Sequence, residues 1–298
     1  YRRTNTWRAV ERQWHRRVER MNAQRGASDT ERAWGRPVAV CVVLLAVVFG
    51  CGPASRPAAT SGSPHEPLTL LVAASTKEPV EELAARFRRA HAVEVRVVAD
   101  DSSKLAQQIV HGAPAAAFLS AAVRWADHLE AQGLVARRRN LLGNELVIVV
   151  PKGNPRQVRA PEDLAGPNVA TIALAGPTVP AGAYARQALV KLGLLARLEE
   201  QRRIVSGENV RAASAFVERG EADAAIVYRT DARVSSAVET VFAFPSDTHE
   251  PIVYPWVLLQ APGSSRASDS TAVRLYEYLG GPDGAAVFRA HGFTWLSP

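Results

Sequence analysis

The sequence predicts an α/β protein of two lobes, each wound around its own mostly parallel sheet, with a ligand site between them. Three observations predict it. From Leu68 onward, short runs rich in Val, Ile and Leu alternate with segments of helical period, the pattern of strands joined by crossover helices. The alternating part is long for a single sheet and contains no internal repeat. Two strand-to-helix handovers carry Ser75 and Ser102, and in sheets of this kind ligands sit at the carboxyl ends of strands.

Leu68–Ala74 reads as a buried strand. It is followed by Ser75-Thr76-Lys77-Glu78, which has the spacing of a capping box with Ser75 at the cap. Pro79 falls in the first helical turn, where its missing N–H is tolerated. Val80, Leu83, Ala84 and Phe87 then recur at helical spacing. Val93–Ala99 predicts the next strand, and Ser102-Ser103 precede a helix through Leu105, Ile109 and Val110. Ala115–Leu119 predicts a short strand, and Val123–Gln132 a helix ended by Gly133. Leu146-Val147-Ile148-Val149-Val150-Pro151 is a strongly β-branched strand. Further strands are expected at Val169–Ala175, Arg202–Val205, Ala224–Tyr228 and Val253–Gln260. Helices are expected from about Ala181 to Leu192 and from about Asn209 to Arg219, with two more across residues 271–290.

The chain carries a net charge of +7, which invites an acidic partner until the charge is located. Residues 1–50 hold ten arginines and no lysine against four carboxylates, so six of the seven net charges lie there. The remainder is close to neutral and has no basic stripe of the kind a nucleic-acid surface needs. Arg32 and Arg36 precede the apolar run Val38–Phe49, twelve residues, too short for a transmembrane helix of about 20 and suited to a secretory signal. The run ends in Val48-Phe49-Gly50-Cys51, which resembles a lipobox, with Phe49 an unusual occupant. Residues 1–51 are therefore expected to be an N-terminal extension plus lipoprotein signal. Cys51 is the expected lipid attachment site, and the Gly/Pro/Ser/Ala-rich residues 52–67 the flexible tether. Cys41 falls within the signal, leaving the folded part without cysteine. Translation is expected to begin at Met21, 17 residues before the apolar run.

The sequence lacks the signatures of several chemistries. It has no GxxxxGK[ST] or GxGxxG phosphate loop, no CxxC, no histidine pair at metal-ligand spacing, and no GxSxG elbow. His65, His91, His111, His128, His249 and His291 are scattered and read as surface residues. What recurs is a helix start. At Ser75, Ser102, near Ala181 and near Val210, a strand or loop hands over to a helix N-terminus. Such ends offer free backbone N–H groups and a partial positive charge, and they bind anions without a cationic side chain. Most helices begin with Ser, Thr, Asp or Asn simply as caps, so no one of these points names a ligand.

Further blocks carry a family resemblance. They are Ala73-Ala74-Ser75, Ser102-Ser103-Lys104-Leu105-Ala106-Gln107-Gln108-Ile109, Gly112-Ala113-Pro114 and Asn140-Leu141-Leu142-Gly143-Asn144-Glu145-Leu146-Val147 with Pro151-Lys152. Val179-Pro180-Ala181-Gly182-Ala183-Tyr184-Ala185, Glu208-Asn209-Val210-Arg211 and Ile226-Val227-Tyr228-Arg229-Thr230-Asp231-Ala232 continue the series. Phe244-Pro245, Tyr254-Pro255 and Gly292-Phe293 close it. In order and over about residues 68–297, the chain resembles the periplasmic molybdate-binding proteins of ABC transporters.

The resemblance implies a type II periplasmic binding protein fold and a binding protein rather than an enzyme. Lobe one would comprise residues 68–148 and 251–298, and lobe two residues 149–250, with hinges near Val149-Val150 and Pro251-Ile252. The ligand it implies is molybdate or tungstate, with no cofactor and no cation site. Ser75 and Ser102 would donate through hydroxyl and backbone N–H, Ala181 and Val210 through backbone N–H, and Tyr228 through its phenol. An ABC permease is the implied partner of a monomer held outside the cytoplasm by its lipid anchor.

The chain departs from the family pattern at Thr76-Lys77, at Ala115-Ala116-Ala117 (where a carboxylate is usual) and at Asp100-Asp101. The last two would oppose an anion unless turned away or paired, with Lys77 and Lys104 as candidate partners. Sulfate, phosphate or another oxyanion is the alternative cargo. A Ser–Lys hydrolase (Ser75 with Lys77, or Ser102 with Lys104) is the remote alternative, disfavoured because residues two apart at a helix start point in different directions. A ligand-sensing domain of a regulator is opposed by the signal segment.

Overall fold

The computed structural model describes residues 67–260 and 270–296. Met21, the apolar run, Cys51 and the tether up to residue 66 lie outside the described residues. The first sheet is entered by β1 (Leu68–Ala73), a 3-10 turn (Ala74–Thr76), α1 (Lys77–His91), β2 (Val95–Asp100), α2 (Ser102–Val110), β3 (Ala117–Leu119), α3 (Val123–Ala131) and β4 (Val135–Gly143). The second sheet takes β5 (Leu146–Pro151), β6 (Ile172–Ala175), α4 (Pro180–Lys191), α5 (Leu195–Glu200), β7 (Ile204–Gly207), α6 (Val210–Glu218), β8 (Ala224–Tyr228), α7 (Arg229–Ala232) and β9 (Val238–Ala243). The chain then returns to the first sheet with β10 (Val253–Leu259), α8 (Ser270–Leu279), α9 (Pro282–Ala290) and β11 (Thr294–Trp295).

The strand orders are β11-β4-β10-β3-β1-β2 and β7-β6-β8-β5-β9. Parallel pairing is confined to β1 with β2 and β3 and to β6 with β7 and β8. The pairs β10–β3, β10–β4, β11–β4, β5–β8 and β5–β9 are antiparallel. Both sheets are therefore mixed rather than mostly parallel. Strands that return from the other lobe enter from the opposite end, which reverses their direction.

The expected lobe boundary after residue 148 also shifts. β5 pairs along its length with β8 and β9, so the chain changes sheets at Asn144-Glu145, between β4 and β5, and not at Val149-Val150. Leu146–Val150 are fully buried in sequence, as expected for a strand covered on both faces. β4 was not expected as a strand: Arg137, Arg138 and Arg139 interrupt its apolar pattern. Their charges are met at the surface, Arg138 by Asp127 and Glu130 at 2.7 and 2.6 Å, and Arg139 by Glu277.

Local chemistry seats the helices on the strand ends. α1 buries Val80, Leu83, Ala84 and Phe87, a stripe one helical turn apart. α4 sits unusually close to β6: a Cβ at Gly182 would lie 2.2 Å from the carbonyl oxygens of Ala175 and Gly176. Gly207 does the same for α6, where a Cβ would meet the Ala213 nitrogen at 2.6 Å. Glycine at these two points lets two helix N-termini press onto the end of the second sheet, facing the first.

Candidate functional site

A small cavity lies between the lobes, and Ser75, Ser102, Ala181, Val210 and Tyr228 all line it. Residues 106 apart in sequence, such as Ser75 and Ala181, thus reach one point. The cavity is small, about 10 Å³, and suits a very small solute. Closure is visible in contacts between the lobes. Glu78 meets Arg211 at 2.6 Å, Lys104 meets Glu208 at 3.1 Å, and the Arg124 guanidinium donates to the Thr178 carbonyl at 2.6 Å. Asn209 donates to Asp100 at 3.3 Å.

Ser75 is not the helix cap its spacing predicts. It lies in the 3-10 turn, α1 begins at Lys77, and Glu78 faces Arg211 rather than closing a capping box. The Ser75 hydroxyl is instead 3.0 Å from the Tyr254 phenol. The direction of that bond follows from the neighbours. Asn144 uses its amide N–H groups on Thr230 Oγ1 (2.8 Å) and on Tyr254 Oη (3.2 Å), and its Oδ1 accepts the Glu145 N–H. Tyr254, fully buried, then needs an acceptor for its own proton. Ser75 Oγ, 3.0 Å away, is placed to supply it, since a buried donor left unpaired costs about 1–3 kcal/mol. With the bond in that direction the Ser75 proton points elsewhere.

Ser102 reaches the same state by another route. Asp101 caps α2, its side chain accepting the Lys104 N–H, and Ser102 is the first helical residue. Its Oγ accepts the Ala121 N–H at 3.0 Å, which again leaves the hydroxyl proton uncommitted. Tyr228, at the end of β8, is buried and its hydroxyl has no hydrogen-bond partner among the described residues. The Tyr254 ring is beside it, centroids 5.9 Å apart, but the Tyr254 hydroxyl is occupied by Ser75 and Asn144. Burial, the nearby Tyr254, Tyr184 and Asp231, and a weak contact to the Tyr254 hydroxyl that falls outside hydrogen-bond geometry hold the Tyr228 phenol well above its ordinary pKa, so it stays a donor.

Ala181 is in the first turn of α4 and Val210 opens α6, positions whose N–H groups have no intrahelical acceptor. Asn209 caps α6 by accepting the Ala212 N–H at 2.9 Å. No Lys, Arg or His lines the cavity. The arrangement presents three hydroxyl protons and the positive ends of helices, which is chemistry for holding an anion by neutral donors.

The carboxylates expected to oppose an anion have separate fates. Asp100 is paired: its Oδ1 accepts the Asp101 N–H at 2.7 Å and lies 3.7 Å from the Lys104 ammonium. Lys104, not Lys77, is thus the partner. Because Lys104 is drawn to Asp100 and Glu208, it is not poised to activate Ser102. Among the described residues no group of His, Cys, Asp and Glu is placed to hold a metal ion. Asn144 and Tyr254, which stand behind Ser75 at the cavity wall, are the residues that local reading misses, although each stands out as a polar tip in or beside an apolar strand.

Two sheets linked by two crossing segments and closed on a small polar cavity define a two-lobed solute-binding protein. The model of the bacterial extracellular solute-binding proteins matches residues 68–294. The molybdate-binding protein ModA of Escherichia coli is 36% identical over 234 residues, 76% of this chain and 88% of that protein. YvgL of Bacillus subtilis, by its name an ABC transporter substrate-binding lipoprotein, is 35% identical over 84% of this chain and 95% of its own length. Among solved structures, the periplasmic molybdate-binding protein of Azotobacter vinelandii superposes with a TM-score of 0.68 at 27% identity, over 78% of this chain and 99% of that one. The chain belongs to the bacterial extracellular solute-binding proteins and, among them, to the family of the molybdate-binding protein ModA. These are binding proteins and not enzymes.

Proposed function

We propose that the protein captures molybdate or tungstate outside the cytoplasm and delivers it to an ABC importer. The observation that carries this reading is the polarity of the cavity. Both serine oxygens are filled by protein donors and Tyr228 has no partner, so three O–H groups converge with the first-turn N–H groups at Ala181 and Val210. A tetrahedral dianion would spread its charge over these bonds without a buried cation. Ser75, Ser102, Ala181, Val210 and Tyr228 are its proposed ligands. The names of the E. coli and A. vinelandii relatives support the cargo, and both anions would use the same donors.

Binding would hold the two lobes closed about the crossings at Asn144-Glu145 and between β9 and β10. The closed form would dock on a membrane permease. The lipobox-like Val48-Phe49-Gly50-Cys51 and the name of the B. subtilis relative support a lipid anchor at Cys51. Loss of membrane fractionation in a Cys51→Ser variant tests it.

Titration calorimetry of the full chain against molybdate, tungstate, sulfate and phosphate tests the cargo. Ligand at ~100 times its Kd stabilises the fold by about 2.7 kcal/mol. No heat of binding and no rise in Tm with either molybdate or tungstate would sink the proposal.

A further inference from the structure

The hydroxyls around the cavity are set as donors, but one lining side chain has the opposite character. Asp101 is 3% exposed and lines the cavity. Its Oδ2 is used locally, accepting from the Ser103 hydroxyl and from the Lys104 N–H at 3.2 Å. Its Oδ1 is buried and has no hydrogen-bond partner among the described residues. Asp100 next to it differs, since its carboxylate is met by a backbone N–H, an amide and an ammonium. Capping α2 does not require a charge at position 101, because Asn and Ser cap as well as Asp. A buried carboxylate oxygen facing no hydrogen-bond donor is costly, even with the Lys104 ammonium acting on the carboxylate from nearby.

We infer that Asp101 is a specificity-determining acceptor, through which the cavity admits, beside molybdate, tetrahedral oxyanions that keep a proton near neutral pH. Hydrogen phosphate and hydrogen arsenate belong to this class, and molybdate, fully deprotonated, does not. The inference rests on reading the cavity as an oxyanion site. The physical basis is the sign of a single contact. Against a fully deprotonated dianion, Oδ1 meets only negative oxygen and repels it. Against a hydrogen-bearing anion, the same oxygen accepts an O–H···O⁻ bond, among the stronger hydrogen bonds. Ser75, Ser102 and Tyr228 would serve the remaining oxygens in either case. Asp101 thus sets the ratio between the two classes rather than the ability to bind anions.

The test is Asp101→Asn in the full chain, titrated with molybdate and with arsenate at neutral pH. Asparagine keeps an oxygen for the Lys104 N–H and puts an amide N–H where Oδ1 stood. Removing the charge favours both anions, but only the hydrogen-bearing one loses an acceptor. Expected is a shift of the arsenate-to-molybdate Kd ratio toward molybdate by about tenfold or more, the equivalent of one charge-assisted hydrogen bond. Equal tightening of both anions would show that Asp101 acts by charge alone and overturn the inference. No change in either would show that Oδ1 does not face the ligand, with the same consequence. Thermal unfolding without ligand checks the α2 cap, and Asp101→Ser gives a second capped variant lacking the carboxylate. Wild-type protein that binds neither anion would overturn the proposed function itself, whereas binding with an unchanged ratio overturns only the role of Asp101.

Discussion

Tyr228→Phe separates a ligand role from a structural one, because the two predict opposite signs. The Tyr228 side chain is among the largest fully buried ones, and its hydroxyl lacks a partner. In the ligand-free protein that hydroxyl carries a desolvation cost of about 1–3 kcal/mol. Phenylalanine keeps the ring and its edge contact with Tyr254 while removing the cost, so the ligand-free variant should be more stable than wild type by up to that amount. With the anion bound, the same phenol donates to a charged oxygen, worth about 1.5–3 kcal/mol. Affinity should therefore fall roughly 10- to 150-fold at 1.4 kcal/mol per factor of ten. Denaturant unfolding without ligand measures the first quantity and titration calorimetry with molybdate the second. An unchanged Kd would refute the ligand role. A large loss of ligand-free stability would refute the claim that the hydroxyl is unpaired.

Ser102→Ala should weaken binding and also destabilise the ligand-free protein by about 1–3 kcal/mol, because the buried Ala121 N–H loses its acceptor; equal stability to wild type would contradict the bond. Gly182→Ala places a Cβ 2.2 Å from two carbonyl oxygens, so α4 must shift off β6, with destabilisation of at least about 1–3 kcal/mol and weaker anion binding as Ala181 moves. Retained Tm and affinity would show that α4 has room to spare. Burial raises the Asp231 carboxyl to about 7 against the opposing charge of Arg211, 2.8 Å away. Between its ordinary value and about 7 the folded state holds a proton that the unfolded state releases, so this group's contribution falls as pH rises through that window. Asp231→Asn should thus gain on wild type in unfolding free energy from pH 5 to pH 8, and a constant or widening gap would refute it.

Much of the fold could be read locally. Strands such as Ala224–Tyr228 and helices such as Val210–Glu218 lie within two residues of their expected bounds, because buried strands and amphipathic helices write their burial into adjacent residues. β4 and β9 escaped. Three successive arginines break the apolar alternation of β4, and their partners Asp127, Glu130 and Glu277 come from other elements. The capping assignment at Ser75 failed for a related reason. The local spacing was right for a box, but Tyr254 and Arg211 offered the Ser75 hydroxyl and the Glu78 carboxylate other partners.

The helix starts at Ser102, Ala181 and Val210 were determined by the sequence itself, since propensity, caps and glycine at close approaches act over a few residues. The absence of a cation from the cavity was not, since Lys104 and Arg211 adjoin the site in sequence and are drawn to Asp100, Glu208, Glu78 and Asp231 only in the folded protein. Which way the hydroxyls point was decided only in three dimensions. Ser75 depends on Tyr254, 179 positions away, and Tyr254 on Asn144, 110 positions away. A hydroxyl becomes a donor only when its oxygen is already filled, and no local pattern records what will fill it. The same holds for Asp101, visible in the sequence as a charge beside the site. Only the packed structure shows that one of its oxygens caps a helix and the other is left for something the protein does not supply.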